Sequence, residues 1–344
     1  LGGCAFTGPQ SIFDTAGPIA ERQLGLFMYT FWLSLLVLAF VGAFLISALV
    51  KFRAKSPDDK RVPEQVHGNL KVEVLWTVIP VFIVLLIAVP TVRTIFATEV
   101  RVTPSEEDLI VNVVGWQWWW VFEYPQYGFV TANELHVPVD RRVILNLDSG
   151  DVLHAFWVPR VAGKRDLIPG QDNQLWFSVS EPGLYYGQCA ELCLGAHAYM
   201  RFRLIASPED EFQSWVSAFQ EADARQVSGD ARVAQGAQLY RQKGCAGCHG
   251  LAGVAPEGVG PNLTNFGMRT SLGAGILPNT AENLAAWLRD PQALKPGNYM
   301  PTLWDEADPN REAEIDALVA FLLSLGADEA EMAMASLGGR DGDR

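Results

Sequence analysis

The sequence predicts a multidomain membrane protein: a two-helix transmembrane hairpin, then an all-β Greek-key domain, then an all-α domain. Three observations predict it. Two long runs near the N-terminus carry no charge. The middle of the chain is rich in Val, Ile, Trp and Phe broken by turn-like residues, and the C-terminal part repeats apolar residues at helical spacing. A chain of 344 residues exceeds the usual size of one domain, which fits this division.

The first run, Leu24 to Val50, is 27 residues without a charge. As a helix it spans about 40 Å, enough to cross a hydrocarbon core of about 30 Å. The second, Val74 to Val92, has 19. Within an N-terminal segment 1–98 this predicts spanning helices at about 24–50 and 74–97, with Pro80 and Pro90 kinking the second. Between the runs, Lys51, Arg53, Lys55, Lys60, Arg61 and Lys71 outnumber Asp58, Asp59 and Glu64. A basic short loop stays on the cytoplasmic side, so both termini and everything after about Glu99 are expected on the outer face of a bacterial plasma (inner) membrane. Glu73, in "KVEVLWT", is an ionisable group at the start of the second span and hence a functional candidate; a snorkelling, merely solvated carboxylate is the plainer reading. "LGGC" ends like a lipoprotein cleavage box, which makes Cys4 a candidate for lipidation.

Most of the net charge of −13 lies in the exported part: residues 99–226 hold 9 basic and 18 acidic side chains, and residues 231–344 hold 9 and 14. Such a surface disfavours nucleic acid and suits a basic protein partner, although acidity for solubility alone explains it as well. From 99 to 206, "DLIVNVVGWQWWWVFEY", "RRVILNL", "NQLWFSVS" and "MRFRLIA" read as strands, separated by "YPQYG", "DSGD", "IPGQDN" and "EPG". Residues 207–230 read as a helix and linker, with Ser207 as N-cap, Pro208 in the first turn, and Phe212, Trp215 and Phe219 on one face. Residues 231–326 are helical in pattern, and 327–344 form a frayed tail.

The five cysteines are Cys4, Cys189, Cys193, Cys245 and Cys248. Outside the cell disulfides are the default, but the context of each pair argues otherwise. "CAGCH", Cys245 to His249, is the haem c attachment pattern: two thiols add to the haem vinyl groups and the adjacent histidine becomes an axial ligand. A sixth ligand must come from downstream. Met268 lies 19 residues after His249, which leaves little chain to reach the opposite haem face; Met300, 51 residues on and followed by Pro301, is the better candidate. A His/Met pair raises the reduction potential, as an acceptor needs.

In "QCAELCLGAHAYM", Cys189, Glu191, Cys193, His197 and Met200 fall close together. A blue-copper site wants one thiolate, two imidazoles and a thioether, and this segment has one thiolate too many. The surplus makes sense if two thiolates bridge two copper ions, each also taking one histidine and one weaker ligand. His154, in "DVLHAFWVP", supplies the other imidazole, with the Glu191 backbone carbonyl and Met200 as the weak ligands. A Cys189–Cys193 disulfide or a tetrahedral zinc site would leave Met200 and Glu191 without a role. Such a pair transfers electrons and offers no open coordination position. His67 and His136 are not needed as ligands.

On these residues the chain resembles subunit II of haem–copper cytochrome c oxidases with a fused C-terminal cytochrome c domain, as in caa-type oxidases. The resemblance runs over about residues 20–325 and includes "GWQWWW", "DVLHAFWVP", "DLIPG", "GLYYGQCAELC", His197, Met200 and "CAGCH". It implies a cupredoxin domain around a dinuclear copper (CuA) centre, a class I cytochrome c domain, and oxidase subunits I and III as partners. Trp118 looks like the family's exposed aromatic between donor haem and copper. The Glu191 carboxylate matches one that faces a magnesium site shared with subunit I, and Glu73 one at the mouth of a proton path. Two departures stand out: Trp116 occupies a position often basic or His, and Leu194 replaces the usual glycine after the second Cys. The function implied is electron input to a terminal oxidase: an external donor, soluble or complex-bound, reduces haem c, then the copper pair, then subunit I, where oxygen is reduced and protons are pumped. The alternatives are a copper-containing subunit of a nitric oxide reductase and a free-standing membrane-anchored carrier.

Overall fold

The computed structural model describes residues 6–53, 56, 67–98, 101–222, 230–251 and 259–326; Cys4, the end of the linker and the tail after Gly326 lie outside them. The chain divides into two compact units, residues 21–100 and residues 1–20 with 101–344.

The first unit is the hairpin, α1 (Pro18–Lys51) and α2 (Leu70–Thr98), both with mean hydropathy 2.7 over their most apolar windows. Both run past the uncharged stretches, because helix geometry does not stop at the first charge when the flanking residues also favour helix. Inside the apolar segments Thr30 and Thr91 donate their hydroxyls to the carbonyls of Leu26 and Ile87, so neither is left unpaired in lipid. Asn69 starts α2: its side-chain oxygen accepts from the Lys71 and Val72 amides, while Glu73 accepts from the Asn69 amide at 3.1 Å. Glu73 is thus a helix-capping carboxylate.

In the second unit ten strands form a sandwich: β1 (Leu109–Trp116), β2 (Trp119–Tyr124), β3 (Phe129–Ala132), β4 (Glu134–Pro138), β5 (Val143–Ser149), β6 (His154–Trp157), β7 (Arg165–Leu167), β8 (Asn173–Phe177), β9 (Gly183–Cys189) and β10 (Arg201–Ser207). One sheet has the order β3-β2-β1-β5-β8 and the other β4-β10-β9-β6-β7. Strict alternation in β1 turns Leu109, Val111 and Val113 inward, against Trp120, Phe122 and Tyr124 of β2.

"GWQWWW" does not run straight. It folds back on itself at Gln117–Trp118, pairing Trp116 with Trp119, so a stretch read as one strand is a hairpin with Trp118 at its tip. Ser207 also departs from expectation: it ends β10, and α3 (Glu209–Ala222) begins two residues later, with the Phe212 amide bonding the Pro208 carbonyl. The apolar face of α3 closes the sandwich, Trp215 packing on Phe129 and stacking at 4.0 Å on His136. His136 is a structural residue.

After the linker come α4 (Ala231–Gln242), α5 (Ala281–Arg289), α6 (Pro291–Leu294) and α7 (Arg311–Ser324). Asp230 caps α4 by accepting from the Arg232 amide. Helices α4 and α7 cross at Gly236, where an added Cβ would sit 2.1 Å from the Ala317 carbonyl oxygen. Val233, Leu239, Ile315, Leu318 and Phe321 fill the crossing. This helical part is joined to the sandwich by buried polar contacts: Glu134 accepts from Thr270 and Ser271, and Arg203 donates to Thr270. Burial alone would raise the Glu134 carboxyl, but His136 and these hydroxyls hold it below the ordinary value.

Candidate metal centres

Three segments bring one cluster together at the end of the sandwich. His154 starts β6, Cys189 ends β9, Cys193 and His197 lie in the loop that follows, and Met200 closes that loop before β10. The register forces the meeting, since β6 pairs with β9 and β9 with β10. The Cys189 and Cys193 sulfurs are 3.9 Å apart. His154 Nδ1 lies 3.8 Å from Cys189 Sγ; His197 Nδ1 and Met200 Sδ lie 3.4 and 3.8 Å from Cys193 Sγ; and the Glu191 carbonyl oxygen is 3.2 Å from Cys189 Sγ. His154, Cys189, Cys193 and Met200 are all buried.

This donor set fits copper. The sulfurs are too far apart for a disulfide of about 2.05 Å, yet closer than two metal–sulfur bonds of about 2.3 Å laid end to end. His154 Nε2 is held at 2.8 Å by Asp151, which leaves Nδ1 as the ligating atom. Burial disfavours charge on His154, but Cys189 and Asp151 together keep its pKa above the usual value. The bond with Cys193 draws the Cys189 thiol down to about 4, with His154 adding to the effect, while Cys193 is pushed up by Cys189. The two thiols oppose each other's ionisation, and a cation between them would favour both as thiolates.

Leu194 shows why glycine would suit this position. It adopts φ 66°, the left-handed region where glycine is at ease, and Gly195 follows with φ 34°. A Cβ on Gly195 would meet the Trp118 ring at 2.2 Å, so the loop closes tightly over that indole.

The second cluster lines a cavity between the helical part and the Gln117–Trp119 end of the sandwich. Gly244, at φ 78°, ends the segment after α4, and a short turn then presents Cys245, Cys248 and His249. Burial pushes the Cys245 thiol up and the His249 imidazole down, which favours its neutral form. His249 Nδ1 bonds the Pro261 carbonyl at 2.9 Å, which leaves Nε2 facing the cavity as an iron ligand must. Met300 lines the same cavity, whereas Met268 is packed into the core of the sandwich. Arg269, buried in the cavity wall, donates to the Asn262 carbonyl and has an Nε atom without a partner among the described residues, a cation suited to a haem carboxylate. These residues fit a haem.

Trp118 lies between the clusters. Expected as an exposed aromatic, it is only 6 % exposed, because the segment leading to Met300 covers it. Its indole N–H donates to the Cys193 carbonyl at 3.0 Å. Reading by motif missed Asp151, Gln117, Lys295 and Tyr299. For Asp151 a signal existed, a carboxylate three residues before a ligating histidine; the others become neighbours only through the fold.

The chain matches three family descriptions: cytochrome c oxidase subunit II transmembrane domain over residues 7–94, its periplasmic domain over 129–207, and cytochrome c over 233–326. It is 39 % identical over 328 residues to cytochrome c oxidase subunit 2 of Alkalihalophilus pseudofirmus, covering 94 % of this chain and 93 % of that one. The chain belongs to the cytochrome c oxidase subunit 2 family. With the same protein of Bacillus sp. (strain PS3) the identity is 37 %, over 92 % and 91 % of the two chains. The solved periplasmic domain of subunit II of the Bradyrhizobium japonicum oxidase is 32 % identical, with TM-score 0.33, covering 35 % of this chain and 98 % of that one. Membership with a fused cytochrome c domain makes this a membrane-anchored, electron-input subunit of a haem–copper oxidase, an oxidoreductase that works in complex with subunit I. Copper in the cupredoxin-like sandwich and haem in the helical domain follow from the family. Neither the nitric oxide reductase nor the free-standing carrier reading finds support.

Proposed function

We propose that electrons from an external donor reach a haem c held by Cys245, Cys248, His249 and Met300, and pass by Trp118 to a copper pair held by His154, Cys189, Glu191, Cys193, His197 and Met200. When bound, the copper pair stores one electron at a time and hands it to subunit I. The chain's own part is to hold both thiolates buried, fix the His154 tautomer through Asp151, and keep water from the sulfurs.

The observation that carries the assignment is how the ligands divide. His154, Cys189 and Cys193 present ligand atoms within 4.8 Å of one another; His197 is not in that group, although its Nδ1 lies 3.4 Å from Cys193 Sγ. One tetrahedral ion would gather all four, whereas two ions bridged by the sulfurs need one imidazole on each side. Replacing Cys189 or Cys193 by Ser therefore removes the mixed-valence copper resonance with haem c retained. A seven-line resonance at full copper content in both variants would overturn the assignment.

The basic loop after Lys51 supports cytoplasmic placement of the α1–α2 turn and outward placement of both metal domains, in a bacterial inner membrane. The acidic surface suits a basic donor. The half-buried Glu191 offers its carboxylate to a magnesium ion at the subunit I boundary, a hard cation that prefers oxygen, and subunit III completes the complex. Glu73 is assigned to proton uptake, against its capping role. Glu73→Gln slows steady-state oxygen consumption while leaving haem c and copper reduction fast; unchanged consumption leaves only the cap.

A further inference from the structure

The segment that carries Met300 reaches across to the sandwich. Lys295 is 4 % exposed and places Nζ 2.7 Å from the carbonyl oxygen of Trp118 and 3.1 Å from that of Gly273. Tyr299 donates its hydroxyl to Gln117 Oε1 at 3.0 Å and lays its ring 4.7 Å from that of Trp118. On the far side the same two residues hold a copper ligand: the Gln117 side-chain amide and the Trp118 indole both donate to the Cys193 carbonyl, at 2.8 and 3.0 Å. The residues gripped by the Met300 segment are therefore the residues that grip Cys193.

Lysines are almost never fully buried unless paired with a carboxylate. Among the described residues the hydrogen-bond partners of Lys295 are two backbone carbonyls, and burial drives its pKa from the ordinary lysine value down to about 7. A methionine would fill the same space without that cost. The amine's position shows what it adds, a direct hold from the cytochrome domain on the backbone of Trp118.

We propose that Lys295 is a positioning residue for electron transfer, pinning Trp118 between Tyr299 and the Cys193 carbonyl so that the path from haem to copper is short and fixed. The proposal rests on the ligand assignment above. One electron crosses, so the haem is oxidised by one and the copper pair reduced by one. No bond forms or breaks, no proton moves, and Tyr299 and Trp118 are not themselves oxidised.

The test compares Lys295→Met with the unaltered chain in the assembled oxidase. In haem-loaded, copper-depleted protein, amide hydrogen exchange in peptides covering residues 115–120 rises about tenfold while α4 and α7 are unchanged. In the loaded complex, transfer from haem to copper slows about tenfold, as misplacement of a positioned group by a fraction of an ångström does; donor-to-haem reduction is unchanged. Unaltered exchange and transfer overturn the proposal, and so does faster exchange spread through α4 and α7, which would make Lys295 a general stabiliser. Tyr299→Leu, at an exposed ring where folding is not at stake, must also slow the transfer, and an unchanged rate there counts against the proposal even if Lys295→Met loses its haem. The copper resonance and the sulfur-to-iron band of the unaltered chain test the ligand assignment separately.

Discussion

At the copper end of the sandwich, ligand atoms from His154, Cys189, Cys193, His197 and Met200 already stand within 3.4–3.9 Å of a neighbouring ligand, on strand ends and one tight loop. In the helical domain, His249 and Met300 line a cavity shared with core residues such as Leu284, Leu288, Leu318 and Leu322, with Cys248 exposed at its edge. Backbone pairing builds the first site, and a metal ion enters an arrangement the sheet has set. In the second the cofactor fills space that side chains would otherwise fill, so it is part of the core. A small all-α domain has little other apolar area to bury.

The largest expected effect breaks this contrast or establishes it. With Cys245 and Cys248 both replaced by Ser, the helical domain loses its covalent haem and its core, and cooperative unfolding of α4 and α7 disappears, since a small domain's stability is only about 5–15 kcal/mol. With Cys189 and Cys193 both replaced by Ser, the sandwich loses copper but unfolds cooperatively, destabilised by only about 1–3 kcal/mol. Hydrogen exchange resolved by domain reads both; equal loss of protection in the two would show that the copper end is also completed by its cofactor.

A smaller effect separates the two methionines. Met300→Ala removes the weak far-red sulfur-to-iron band and lowers the haem potential, because the thioether favours the reduced state. Met268→Ala leaves both unchanged and instead destabilises the sandwich side by about 2–4 kcal/mol, the cost of emptying a packed methionine site. A band lost in Met268→Ala would reverse the assignment.

The contrast also decides what could be read in the sequence. The haem attachment pattern and the copper loop are local, with "CAGCH" and Cys189 to Met200 contiguous, and their chemistry dictates residue type at fixed spacing. The spanning helices were legible because lipid tolerates no charge over such a length. What joins the two centres was not. The fold-back at Gln117–Trp118 contains no Gly, Pro, Asn or Asp to announce a turn, so "GWQWWW" looked like continuous strand. The covering of Trp118 by Tyr299 and Lys295 depends on residues more than 170 positions apart. No spacing rule reaches that far.

The smallest expected effect bears on how tightly the copper end is set before metal arrives. Leu194 holds φ 66°, where a residue with a Cβ is disfavoured by about 1–2 kcal/mol. Its carbonyl accepts the His197 amide at 2.9 Å, so this backbone conformation is what turns His197 toward Cys193. The side chain itself is 66 % exposed and contributes little burial. Leu194→Gly relieves the disfavoured conformation but enlarges the unfolded ensemble by about 0.5–1 kcal/mol, leaving a net gain of about 0.5 kcal/mol. Chemical denaturation of the copper-depleted chain measures it, as a small upward shift of the sandwich midpoint at unchanged slope. A downward shift would mean that the exposed leucine is held by contacts within the loop, and that the loop needs more than backbone geometry to stay set.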